Sequence, residues 1–188
     1  MRPLKYSIAI VLAVCLSQGS MGASTAPEPP TGIDVVWAYA GVWKVETEHF
    51  DTAQSKAGHE KTTLRNACWK NGAYLACNQY VDGDSKILIV FTYDAKAKVY
   101  TSYQIPLGGG EPGSGKLIIE GDVWTFPWKI AEGDKITYYR VVNVFRAPDR
   151  IEYRQEFSPD NAHWTVMAKG TETKVASAES AQSPITLP

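Results

Sequence analysis

Three cysteines, three histidines and a small set of hydroxyl, amide and carboxyl side chains are the groups in this sequence that could do chemistry. Cys15 lies in a greasy N-terminal run, which leaves Cys68 and Cys77 as a pair. Two cysteines in an oxidising compartment are a disulfide candidate. The rival readings are two buried thiols, or a metal site, which wants further Cys or His at close spacing. His49, His59 and His163 have no such spacing among themselves, so no metal site is expected. No catalytic constellation stands out either, since the chain lacks a Gly-x-Ser-x-Gly elbow and the cysteines are spoken for. Gly110-Glu111-Pro112-Gly113-Ser114-Gly115-Lys116 matches most of a phosphate-binding loop, but Leu117 stands where a hydroxyl must reach the magnesium ion. Lys116 to Glu120 reads as a strand and offers phosphate no helix N-terminus, so a long hairpin loop, a flap at one rim, is expected there.

The segments that must carry these groups are short, alternating and rich in Val, Ile, Tyr, Trp and Thr, with turn residues packed between them. That is the pattern of an antiparallel meander. Strands are expected over 42–50, 58–69, 74–81, 86–94, 98–106, 116–121, 123–130, 135–146, 150–157 and 163–174. Direct opposition of Cys68 and Cys77 calls for a four-residue loop, Asn71 to Tyr74, between their strands. Helical character is confined to one turn over Asp34 to Tyr39, capped by Asp34. About ten strands joined by tight turns leave two unpaired edges unless the sheet closes. The expected fold is therefore all-β: an antiparallel up-and-down β-barrel of about ten strands with a short N-terminal helical turn, preferred over a two-sheet sandwich with longer crossovers.

Strand alternation then sorts side chains into an inner and an outer set. In the first strand Trp43, Val45, Thr47 and His49 oppose Lys44, Glu46 and Glu48 and are expected inside. By the same rule Thr101 and Tyr103 face inward in preference to Tyr100, Ser102 and Gln104, and Trp124, Phe126 and Trp128 line the seventh strand. Tyr153, Gln155 and Phe157 follow in the ninth, and Trp164 leads Val166, Ala168 and Gly170 in the last. An aromatic pocket with a few polar groups is the default small-molecule site; the alternative is that the tryptophans and their neighbours simply fill the interior. An enzyme on this frame would draw first on Thr47, His49, Thr101, Tyr103, Asn143, Tyr153 and Gln155, because Glu46, Glu48, Glu152 and Glu156 fall on outward faces. Near a rim, His49 is the residue that would serve heme as an axial ligand. Otherwise no cofactor is expected.

Arg2 and Lys5 precede the apolar run from Ile8 to Leu16, which is too short to span a bilayer and reads as the core of a signal peptide over 1–23. Residues 24–32 read as a linker, 33–174 as one domain and 175–188 as a disordered tail. Removing 1–23 takes away two cations and no acid, so the formal charge of −1 becomes −3. That balance argues against nucleic acid or an anionic membrane as partner. A periplasmic or secreted protein is expected, with no integral membrane segment in the mature chain and a small hydrophobic molecule as its partner.

Gly41-Val42-Trp43, opening the first strand after a helical turn, resembles the entry signature of lipocalins and the wider calycin superfamily. The Cys68-Trp69 hairpin returning through Cys77, and the run from Tyr153 to Asp160 leading to Trp164 and Gly170-Thr171, look like exported bacterial lipocalin-like domains. The likeness covers nearly all of 37–174 and implies a barrel with an internal cavity. Lipocalins set an arginine from the last strand across the signature tryptophan; here that strand offers only Lys169 and Lys174, and Lys169 or Arg154 is expected as the cation over Trp43. The function expected is binding of a small apolar or aromatic molecule inside the barrel. The alternatives are an enzyme of the same fold (isomerase, cyclase or hydrolase), a heme-binding barrel, or a structural or partner-binding module with an apolar outer patch.

Overall fold

Ten antiparallel strands pair in chain order, and the first also pairs with the last, so the sheet closes into an up-and-down barrel. The computed structural model describes residues 32–178. The expected signal peptide over 1–23, nearly all of the linker over 24–32 and the tail from 179 onward lie outside the described residues. A 3-10 helix, Gly32–Tyr39, leads into β1 (Gly41–His49), β2 (Gly58–Asn71), β3 (Tyr74–Val81), β4 (Asp84–Asp94) and β5 (Val99–Pro106). The circuit is completed by β6 (Gly113–Glu120), β7 (Val123–Glu132), β8 (Lys135–Ala147), β9 (Arg150–Ser158) and β10 (Thr165–Ala176). Gly113 to Lys116 belong to β6, so the phosphate-loop look-alike is strand and hairpin, as its apolar continuation implies.

The barrel is plugged at one end. The 3-10 helix inserts Val36 and Ala40 into a cluster with Leu75, Phe91, Leu117, Trp124 and the two cysteines. Tyr100 of β5 holds the helix start by donating its hydroxyl to the Gly32 carbonyl at 2.9 Å. Beside this plug a second cluster gathers Trp43, Val45, Ile151 and Tyr153. Trp43 is 0% exposed, and its indole N–H donates to the Tyr39 carbonyl at 3.0 Å. Gly41 precedes it at φ +135, and a Cβ there would stand 2.8 Å from the Ala176 carbonyl oxygen, so the entry to β1 needs glycine. The cation over the Trp43 ring is Lys174, at 4.6 Å from the centroid, which corrects the expectation of Lys169 or Arg154. Register decides it: Lys174 is the β10 partner of Trp43, whereas Lys169 pairs with Glu48 and Arg154 with Glu156.

Cys68 and Cys77 sit directly opposite in the β2–β3 ladder and are joined as a disulfide, with Cα atoms 4.0 Å apart. The sum that sets this register also pairs Asn71 with Tyr74, so the hairpin closes through Gly72 and Ala73 alone and is tighter than the four-residue loop expected. At β6–β7 the ladder is shortest: it ends at Ile118 with Thr125, just before Pro127, which has no N–H to donate. Beyond that point β7 ladders only with β8, so the hydrogen bonding between β6 and β7 splits there although Gly115 stays close to the Pro127 carbonyl.

The disulfide bridges a sequence separation of 9 inside the plug cluster. Reduction, or the double replacement Cys68→Ala with Cys77→Ala, should lower unfolding free energy by about 2–3 kcal/mol, as expected for closing a short loop. Urea unfolding of the oxidised and reduced chains checks this through the shift in midpoint.

Candidate functional site

Above the plug the barrel is not filled. A cavity of about 420 Å³ lies between the plug and the end of the barrel where β1 hands over to β2. Its walls interleave apolar side chains, Leu64, Ile89, Phe91 and Phe126 among them, with the polar Thr47, Thr62, Gln79, Gln104, Asn143, Tyr153 and Gln155. Tyr39, the last residue of the 3-10 helix, forms part of the floor, edge-on to Phe126 at 5.8 Å and to Trp124 at 5.2 Å. Glu60 marks the mouth, its side chain 55% exposed and within 3.4 Å of the His49 ring nitrogen Nε2.

Most polar groups of this interior answer one another. Asn66 Nδ2 donates to the Tyr39 carbonyl at 3.1 Å and its Oδ1 accepts from Gln79 Nε2 at 3.2 Å. Asn143 Nδ2 donates to the Tyr39 hydroxyl. The Tyr153 hydroxyl and Thr47 Oγ1 share a bond of 2.5 Å across β10. Gly170 makes that reach possible. A Cβ there would lie 2.2 Å from the Glu46 carbonyl oxygen and 2.8 Å from the Tyr153 ring, so the tyrosine packs flat over the glycine. Burial pushes the Tyr153 hydroxyl above its usual range, with the Thr47 bond opposing; the Tyr39 hydroxyl is raised well above its usual range by burial, helped by the Glu172 charge.

Two acceptors in the lining have no partner among the described residues: Asn143 Oδ1 and Glu172 Oε2. Glu172 is 8% exposed, and no Lys, Arg or His among the described residues forms an ion pair with it. Burial alone lifts its carboxyl to about 7, within reach of protonation at neutral pH. The residue escaped the sequence assignment although the signal was present: it follows Ala168 and Gly170 at the same two-residue spacing, on the face already assigned inward.

Of the residues expected to line the interior, Val45, Thr47, Phe126, Tyr153 and Gln155 do so together. Trp43 and Trp124 are buried below the floor in the two apolar clusters. His49 stands at the rim against Glu60. Trp128 stacks on Tyr139, centroids 5.4 Å apart, beside the split between β6 and β7, and is 43% exposed. Phe157, opposite Tyr139 in the β8–β9 ladder, is half-buried but outside the cavity lining.

Thr101, Tyr103 and Trp164 require correction. The inward face of β5 is Tyr100, Ser102 and Gln104, and Tyr103 is 44% exposed on the outside with Thr101 on the same face. Apolar weight misassigns this strand because its inner polar groups bond each other, Gln104 Nε2 to Ser102 Oγ at 2.8 Å. In β10 a bulge at Met167 shifts the register between Val166 and Ala168. Residues before it therefore change sides, and Trp164 lies outside under the Arg140 guanidinium, 4.0 Å from the ring centroid.

The outer wall over Gly170 carries a second hollow of about 550 Å³, but each of its four carboxylates already has a basic partner. Glu46 bonds Lys61, Glu48 bonds Lys169, Glu152 bonds Arg146 and Glu60 bonds His49. His163 is exposed in the β9–β10 loop, 2.7 Å from Asp160. Among the described residues no group of three or more His, Cys, Asp or Glu could hold a metal ion, and no helix is long and apolar enough to cross a membrane.

No protein-family model and no curated protein matches the chain. Two solved structures are similar to it in outline. Rv2717c from M. tuberculosis aligns at a TM-score of 0.47 and 10% identity, covering 78% of this chain and 99% of its own. A redesigned beta barrel, b11L5F_LGL, aligns at 0.32 and 12%, covering 73% and 91%. Similarity at this level concerns the fold alone and assigns no activity.

Two outcomes follow from the interior geometry. Gly170→Ala should cost more than about 2 kcal/mol, because backbone and ring leave a methyl no room, and thermal unfolding reads that loss. Glu172 ionises less readily folded than unfolded, where its ordinary value is 4.5. Its protonated form therefore favours the native state at low pH, and that advantage is lost as pH rises from about 4.5 through about 7. Glu172→Gln should accordingly be more stable than the parent chain by an amount on the order of 3 kcal/mol at about pH 8, with the gap closing towards about pH 4.5; melts across pH check it.

Proposed function

We propose that this chain is an exported, lipocalin-like barrel that binds a small molecule with an apolar or aromatic body in its interior cavity. The observation that carries the proposal is the cavity of about 420 Å³, lined by Phe91, Phe126, Ile89 and Leu64 interspersed with hydrogen-bonding groups. Pockets of this make-up bury an apolar ligand body and orient it through a few polar contacts. Export is supported by the Cys68–Cys77 disulfide and by the basic-then-apolar leader. The lipocalin-like assignment is supported by Gly41-Val42-Trp43 entering β1 from a short helix and by a cation over Trp43. A heme role would require His49 to swing from Glu60 into the barrel, whereas Glu172 and Tyr153 already face the cavity.

A partner-binding role draws on a different observation. Tyr103, Ile105 and Leu107 lie exposed at two-residue intervals along β5 and its exit. Titration with the neutral fluorescent dye prodan separates the two readings. One saturable site per chain is expected, abolished by Gln155→Trp, which fills the cavity, and unchanged in Tyr103→Ala on the outer face. Dye binding that survives Gln155→Trp but is lost in Tyr103→Ala would transfer the site to the outer wall.

A further inference from the structure

The charges lining the cavity are all of one sign. Glu60 and Glu172 contribute carboxyl groups to its wall, while no Lys, Arg or His does. Lys174, the nearest cation along β10, is turned away: its ammonium donates to the Ala38 carbonyl at 3.0 Å and lies over Trp43. An anionic ligand would therefore meet carboxylates and no counter-charge. The two lining atoms without a partner among the described residues, Asn143 Oδ1 and Glu172 Oε2, are both acceptors, and their side chains line the same cavity as Tyr39, whose hydroxyl Asn143 bonds. Buried acceptors without donors are costly in a closed molecule, and a ligand that brings N–H groups removes that cost.

We infer that the ligand carries a basic nitrogen, an ammonium or amidinium group, and that Glu172 and Asn143 accept its N–H donors at the inner end of the cavity. The inference rests on the cavity being a binding site. The aromatic faces of Tyr39, Phe91 and Phe126 close the floor beside these acceptors and suit a ring attached to that nitrogen. The titratable groups facing Glu172 are Tyr39 from the 3-10 helix, Tyr153 from β9 and Glu60 from β2, with His49 of β1 bonded to Glu60 and Lys174 two residues along β10. Both tyrosines are held above their usual range by burial, so neither gains charge near neutrality. Proton uptake by Glu172 should weaken the hold on a cation as pH falls.

Calorimetric titration of the intact chain with three probes of one shape tests this: 1-naphthylmethylamine, 1-naphthylmethanol and 1-naphthoate. At about pH 8 the amine should bind at least about tenfold more tightly than the alcohol, with the carboxylate weakest. That advantage should shrink on going to about pH 6, and in Glu172→Gln it should be lost at every pH while alcohol binding is retained. Alcohol or carboxylate binding as tight as the amine overturns the inference and leaves the cavity as a site for neutral ligands. An amine preference that persists in Glu172→Gln, whose folding the thermal melt verifies, also overturns it. Failure of all three probes, together with prodan, removes the binding site itself and the inference with it.

Discussion

Everything in this protein depends on the ladder between β1 and β10, which ties Val42–His49 to Ala168–Ala176 and turns a ten-strand ribbon into a tube. Closure removes both edges of the sheet and gives the interior a definite volume. It also joins the two ends of the fold, a pairing of high contact order whose loop entropy must be met before the contacts form. The residues at the seam show how it is secured. Gly41 lets the chain enter beneath the Ala176 carbonyl, Trp43 is sealed between the Tyr39 carbonyl and the Lys174 ammonium, and Gly170 lets Tyr153 lie across β10 to reach Thr47. Truncating a buried tryptophan of this kind costs about 3–5 kcal/mol in comparable cores.

The interior is divided between stability and chemistry. At one end the 3-10 helix, the disulfide and a ring cluster of Tyr39, Phe91, Trp124, Phe126 and Phe145 pack as an ordinary core. At the other, polar side chains line a cavity that none of the described residues fills, and two buried acceptors have no partner among those residues. Such groups weaken the native state by leaving hydrogen bonds unmade. A fold with a firm plug and a closed seam can carry that deficit, and under the proposed function a ligand that supplies donors would offset it. On the outer wall over Gly170 the tension is less, because Glu46, Glu48 and Glu152 each have a basic partner in Lys61, Lys169 and Arg146.

Legibility in the sequence followed the range over which a signal acts. The number and order of strands, the Asp34 to Tyr39 turn and the opposition of Cys68 to Cys77 were readable because each depends on residues a few positions apart. The inner faces of β1 and β9 were readable because charged residues recur there on the opposite face, whereas in β7 the expected inward set holds for Trp124 and Phe126 but not for Trp128, which is 43% exposed. In β5 the two faces are nearly balanced, and the inner one is polar because Ser102 and Gln104 bond each other along the strand. In β10 one extra residue at Met167 reverses the phase, so that Trp164 and Ala168 face opposite ways despite their even spacing.

By itself the amino-acid sequence determined an all-β meander, the candidate pairing of Cys68 with Cys77 and a helical turn leading into the first strand. These are local matters of propensity, turn chemistry and alternation. Only the tertiary structure decided which tryptophans became plug and which became surface, and which cation covers Trp43. It likewise decided that Glu172, an unremarkable acid in a polar strand, is a buried carboxyl facing an empty interior. The physical reason is that burial and solvation depend on register around a closed circuit. A carboxyl group learns its surroundings only when strands from both sides of the barrel have closed over it.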